Sequence, residues 1–197
     1  VCLASSVSVK ADSHSPHILV VGDSLSAAYG FAPSQGWVSL LDRQLGPRAK
    51  LTNASVSGET SAGGRQRLPA LLAEHSPDIL ILELGGNDGL RGYPLARIRE
   101  TLSQMITHAK QNGAQVLLVG MQIPPNYGRR YSRGFAGLFG ELADSHQLPL
   151  IPFLLEGVAT RPELMQQDGI HPNAKAQPIL ANTVAAALLP MIQSTTR

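Results

Sequence analysis

Only one cysteine occurs in the 197 residues, Cys2, close to the first position. From Leu3 onward there is no thiol, which excludes an internal disulfide, a cysteine metal site and a cysteine nucleophile in the folded part. Leu3-Ala4 after Cys2 make a poor case for lipid attachment. Net charge is nearly absent too: 16 basic against 14 acidic residues leave a formal +2, too little to imply a nucleic-acid partner. The densest basic cluster, Arg129-Arg130 with Arg133, is interrupted by Tyr131 and Ser132 and reads as a solvated or capping surface. No apolar stretch approaches the roughly 20 residues that span a bilayer, so no stable membrane anchor is expected. Also missing are a Gly-x-Ser-x-Gly elbow, a Gly-x-Gly-x-x-Gly fingerprint, a Walker loop and His-Glu-x-x-His. Their absence argues against an ordinary α/β-hydrolase elbow, nucleotide binding and zincin chemistry.

What remains is an ordinary globular composition, 43% hydrophobic and 15% charged. Val1 to Val9 carries no charge, Val9 and Ala11 suit a secretory cleavage site, and a polar stretch runs from Asp12 to Pro16. Residues 1–16 are therefore read as a signal-peptide remnant and spacer, the alternative being a plain disordered tail. Residues 17–197 are expected to form one domain, acting as a monomer in the periplasm or outside the cell. A domain of this size buries roughly 70% of the surface its unfolded chain exposes.

Apolar runs then alternate with helical patterns. Strands are expected at 17–21, 51–54, 79–84, 116–119 and 150–151, and helices at 37–45, 65–75, 96–111, 135–145 and 175–189. Pro69 would fall near the start of its helix, where proline is tolerated. The run Ile79-Leu80-Ile81-Leu82-Glu83-Leu84 suits a central parallel strand covered on both faces. Five strands alternating with helices predict a doubly wound α/β fold: a flavodoxin-like three-layer α/β/α domain with a five-stranded parallel sheet. Such sheets bind ligands at the carboxyl ends of their strands. Ser24, Ser57-Gly58 and Gly85 to Asn87 follow the first three strands, so three polar loops should meet at that edge.

Each piece has a plain reading. Asp23-Ser24 could cap a helix, Ser57-Gly58 could be a turn, and Gly85-Gly86-Asn87-Asp88-Gly89 could be a loop. Together they suggest an oxyanion hole, made from the Ser24 and Gly58 N–H groups and the Asn87 amide, around a nucleophilic serine. Asp168-Gly169-Ile170-His171 supplies the rest, because an acid and a histidine three residues apart can reach each other across one turn. The order Ser, Asp, His is that of a serine hydrolase, and no metal or organic cofactor is needed. Asp168 and His171 could instead ligate a metal, but no third and fourth ligands stand at metal-site spacing.

Gly22-Asp23-Ser24-Leu25, Gly58, Gly86-Asn87-Asp88 and Asp168-Gly169-Ile170-His171-Pro172 resemble the four blocks of the SGNH (GDSL) hydrolases. The likeness runs from Ile18 to about Leu189. Residues 83–92 and 125–131 further resemble the thioesterase I/protease I/lysophospholipase branch and its arylesterase relatives. One departure is Glu59, where that branch often carries Asp. The resemblance implies Ser24 as nucleophile, His171 as general base and acid, and Asp168 as its orienter. It also implies Ser24, Gly58 and Asn87 as oxyanion donors, and a carboxylic ester or thioester as the small-molecule substrate. Carbohydrate O-deacetylation, or a non-catalytic lipid- or carbohydrate-binding module, are the other functions the fold could carry. The loops 89–94 and 123–131 hold Leu90, Tyr93, Pro125 and Tyr127, which are expected to overhang the catalytic edge and meet an acyl chain.

Overall fold

The aliphatic runs form five parallel strands in the computed structural model, which describes residues 15–195. The strands are β1 (His17–Gly22), β2 (Lys50–Asn53), β3 (Ile79–Glu83), β4 (Gln115–Val119) and β5 (Leu150–Ile151), in the order β2-β1-β3-β4-β5. Six α-helices connect them: α1 (Trp37–Leu45), α2 (Ser61–His75), α3 (Gly86–Leu90), α4 (Leu95–Gln111), α5 (Arg129–His146) and α6 (Gln177–Thr195).

Strand alternation divides the core in two. Ile18, Val20, Ile79, Ile81, Leu117 and Val119 point to the face covered by α1 and α6. Leu19, Val21, Leu80, Leu82, Val116 and Leu118 point to the face covered by α2, α4 and α5. Side chains two residues apart share a face, so a strand buried on both sides must be apolar throughout. That is why β3 is fully buried from end to end, and it is the three-layer arrangement the element order implies.

Several elements differ from expectation, and α5 starts six residues early, at Arg129. Helix α2 starts four residues early, at Ser61, because Thr60 caps it by accepting the Gly63 N–H at 3.2 Å. Pro69 therefore lies in the helix interior and removes the bond to the Arg65 carbonyl, on a face that is exposed to water. Helix α6 runs through Pro190, because Met191 and Ile192 continue the buried stripe beyond it. The turn chemistry of Asn87-Asp88-Gly89 yields a short helix, α3, not an open loop.

The leader expected over residues 1–16 lies outside the described residues, apart from Ser15 and Pro16. Those two are tied to the fold: Ser15 Oγ donates to the Pro47 carbonyl, and the Lys50 N–H donates to the Pro16 carbonyl. Among the described residues, no helix is long and apolar enough to cross a membrane.

Candidate active site

The strand order reverses at β1, whose neighbours are β2 on one side and β3 on the other. Loops leaving β1 and β3 there diverge to opposite faces and open a crevice. Ser24 stands at that point, two residues beyond β1. A helix does not start at Ser24. A single helical turn forms there, with the Ala27 N–H on the Asp23 carbonyl and the Tyr29 N–H on the Ser24 carbonyl, and α1 begins only at Trp37. No extended helix dipole therefore points at the serine. Asp23 caps the turn by accepting the Leu25 N–H at 3.1 Å.

His171 reaches Ser24 from a loop 147 residues away, with Nε2 at 2.9 Å from Ser24 Oγ. Its Nδ1 lies 2.6 Å from Asp168 Oδ2, while Asp168 Oδ1 accepts the N–H groups of Ile170 and His171 at 2.9 and 3.0 Å. Gly169 makes this tight return possible by taking φ +66°, a left-handed conformation that costs other residues energy. Desolvation acts to raise the Asp168 carboxyl, but the His171 N–H, the His171 ring and the Ile170 N–H outweigh it and hold it down at about 2. An ionised Asp168 must receive the Nδ1–H, which leaves the Nε2 lone pair facing the serine hydroxyl. Both ring nitrogens are thereby engaged. The Tyr29 ring leans on the imidazole, 4.5 Å between centroids.

The three expected oxyanion donors stand on the loops after β1, β2 and β3. Gly58, at φ +79°, has open space where a side chain would stand. The N–H groups of Ser24 and Gly58 meet no acceptor among the described residues. Asn87 differs: its Nδ2 donates to Asp23 Oδ2 and to the Glu59 carbonyl, each at 3.0 Å. Both amide hydrogens are thus engaged in the resting site. The Glu59 carboxylate turns away to Arg67, 3.1 Å distant.

A cavity of about 400 Å³ opens beside Ser24 and His171, walled mainly by Leu90, Met121, Ile123, Pro125, Phe153 and Ile170. Of the four side chains expected to meet an acyl group, Leu90 and Pro125 line this cavity and Tyr93 and Tyr127 do not. Tyr93 packs its loop: its carbonyl accepts the Tyr131 hydroxyl at 2.6 Å, and Arg97 lies over its ring. Tyr127 is solvent-exposed.

The family model of GDSL-like lipases and acylhydrolases matches residues 20–178. The chain belongs to that family. It is similar to the esterase TesA of Pseudomonas aeruginosa, with 50% identity over 89% of each chain. It is also similar to thioesterase 1/protease 1/lysophospholipase L1 of Escherichia coli K12, with 44% identity over 89% of this chain and 84% of that one. Among solved structures, the psychrotrophic esterase EstA from Pseudoalteromonas, inhibited by monoethylphosphonate, aligns with a TM-score of 0.86. That alignment has 38% identity and covers 90% of this chain and 99% of the other. As a GDSL-like acylhydrolase, the protein is an enzyme that cleaves carboxylic esters.

Beneath Ser24 this acylhydrolase buries two acids, Asp23 of the first motif block and Glu83, which no block contains. Glu83 closes β3 and lies opposite Gly22 in the sheet register. Its Oε2 accepts the Asp23 N–H at 3.1 Å and the Ser26 hydroxyl at 2.6 Å, fixing both sides of the serine turn. A Cβ on residue 22 would stand 2.5 Å from that oxygen, so glycine is required there. Burial, reinforced by the neighbouring Asp23, pushes the Glu83 carboxyl well above the ordinary range. Burial likewise lifts Asp23, to about 6, against the lowering pull of the Leu25 N–H. Burial raises both carboxyls, and Glu83 is pushed further by the charge of its neighbour. The sequence held a sign of this, a lone acid ending an otherwise aliphatic strand. Tyr29 and Phe153 carried no comparable signal, since only the closure of distant loops brings them to the site.

Proposed function

We propose that Ser24 is the nucleophile, His171 the general base and acid, and Asp168 the group that orients it. Ser24, Gly58 and Asn87 are the oxyanion donors in this reading. The observation that carries it is the continuous relay from the Ser24 hydroxyl through His171 to Asp168, open to an apolar cavity. Ser24 Oγ attacks the carbonyl carbon while its proton passes to His171 Nε2. The tetrahedral oxyanion sits against the Ser24 and Gly58 N–H groups, with Asn87 releasing or sharing one amide hydrogen. Collapse of the intermediate expels the alcohol or thiol, which leaves with the proton from Nε2. Water then repeats the sequence on the acyl-serine and frees the acid.

The substrates are esters and thioesters of medium or long acyl chains, including lysophospholipid-type esters, because the cavity wall is aliphatic and aromatic. A hydrated acetyl sugar would find few polar partners there. The working unit in this reading is the monomer, and the leader-like first residues support a location in the periplasm or outside the cell.

A fluorophosphonate probe tests the assignment, since the phosphonate inhibition named for EstA is what an activated serine would give. Wild-type protein should be labelled at Ser24, and Ser24→Ala should escape labelling and lose on the order of 10⁶ in kcat while staying folded. Labelling elsewhere, or turnover by pure Ser24→Ala protein, would refute it.

A further inference from the structure

We propose that the face around the cavity mouth docks on anionic lipid head groups, so that the enzyme works at a bilayer surface. Among the described residues, the exposed large apolar side chains are Tyr29, Val56, Tyr127 and Ile170. They come from four separate loops, after β1, after β2, after β4 and between Asp168 and His171, and all four loops end at the catalytic edge. Apolar groups scattered by chance would not gather at one end of the sheet.

The charges nearby are one-sided. Segments 89–99 and 122–140 hold six arginines and no Asp or Glu, with Glu100 and Glu141 standing just beyond them. Arg99 pairs with Glu141, and Arg97 lies over Tyr93. Arg91, Arg129, Arg130 and Arg133 remain exposed, with no carboxylate partner among the described residues. Arg91 reaches only the Gly58 carbonyl, at 3.4 Å. The other three fall within the first five residues of α5, whose first turn carries no acid. Cations at the positive end of a helix are destabilising unless an anion meets them. The exposed acids on the loops after β5 are Glu156, Glu163 and Asp168; Glu163 pairs with Arg161, and Asp168 is engaged by His171.

Basic and apolar side chains interleaved around an apolar pocket match a lipid interface. Arginines meet phosphates, while Tyr and Ile enter the acyl boundary. A free phosphate or coenzyme A would account for the arginines and leave the four apolar groups unexplained. The arginine cluster, read from sequence as a solvated surface, thus gains a partner through its position beside the mouth.

The test is co-sedimentation of full-length Ser24→Ala protein, which leaves the lipid intact, with phosphatidylcholine vesicles lacking or containing phosphatidylglycerol. Binding should require phosphatidylglycerol and weaken with salt. R129Q/R130Q/R133Q should reduce partitioning roughly fivefold per arginine, about 100-fold in all. In the active background the same triple variant should hydrolyse soluble p-nitrophenyl butyrate at the wild-type rate. Salt-independent binding, equal binding to neutral vesicles, or an unchanged triple variant would overturn the proposal. So would coenzyme A binding that needs these arginines in a protein that ignores phosphatidylglycerol vesicles. Should wild-type protein fail on the soluble ester, the catalytic assignment falls, while vesicle binding by Ser24→Ala is still read separately.

Discussion

Asn87→Ala perturbs two things at once, and the structure says how much of each. One amide donor to an oxyanion is generally worth 10²–10³ in kcat, about 2.7–4 kcal/mol. Here the amide is already engaged by Asp23 Oδ2 and the Glu59 carbonyl, each at 3.0 Å. Serving the oxyanion means giving up or sharing one of those bonds, worth about 0.5–1.5 kcal/mol net. The expected loss is therefore at the lower end of the range, about 100-fold in kcat with little change in KM. The second effect is on the fold, because Asp23 is only 2% exposed and would lose a donor to its carboxylate. An uncompensated buried acceptor costs about 1–3 kcal/mol, which lowers Tm by several degrees in a chain of this length. Kinetics on p-nitrophenyl butyrate and thermal denaturation of the same preparation read the two effects separately. A raised KM at unchanged kcat would make Asn87 a binding residue. A loss near that of Ser24→Ala would mean it acts by holding the serine turn, and an unchanged Tm would show that its bond to Asp23 contributes nothing.

Four further outcomes are expected. With Asp168 held down at about 2, its charge should stay beside the His171 ring well below neutral pH, so Asp168→Asn should lower kcat about 10⁴-fold; an unaffected Asp168→Asn enzyme would refute its orienting role. Asp23 and Glu83 have raised pKa values, so the folded state keeps protons that the unfolded chain releases near pH 4, and their contribution falls as pH rises. That fall sets in above about pH 4, where the unfolded carboxyls ionise and the buried ones do not. Glu83→Gln should be near neutral in denaturation at pH 4 and stabilising at pH 8, and equal effects at the two pH values would contradict the raised carboxyl. Leu90→Ala should lower kcat/KM for octanoyl or longer esters about tenfold, at roughly 0.8 kcal/mol for each acyl CH₂ no longer shielded from water, and spare acetate esters. Tyr127→Ala should leave chain-length preference unchanged, and the reverse pattern would move the acyl wall to the loop rim.

The sheet was legible because a strand buried on both faces must be apolar at every position, and β3 has that pattern. Its parallel, doubly wound character also followed from the alternation of strands and helices, which permits few topologies. Helix starts were less legible. The cap at Thr60 depends on a single hydroxyl, and Tyr131 marks no start for α5, which begins six residues before the expected Phe135. The Asp168–His171 pair could be read from its spacing, since both partners sit in one local loop. The packing around it could not. Tyr29 meets His171 across 142 residues of chain, and Phe153 enters the cavity wall behind a strand of only two residues. Tyr93 shows the converse: an aromatic ring in the right loop spends itself on packing.

Two of the three groups in the relay ride on one short loop, and that loop holds itself together more than the sheet holds it. Met165 and Pro172 pair as a bridge, the Gln166 N–H donates to the His171 carbonyl, and Gly169 donates back to Gln166. Beyond its own backbone, the Gln166 amide bonds the Tyr29 carbonyl at 2.8 Å, while residues 167–170 lie exposed. Segments with little buried apolar surface open at a small fraction of the global unfolding free energy. On warming, the acid and base should therefore leave together, and the serine would lose its base while both cores are still packed. Heat inactivation in this enzyme would then precede melting and reverse on cooling, so its upper working temperature is set by one short hinge and not by the fold.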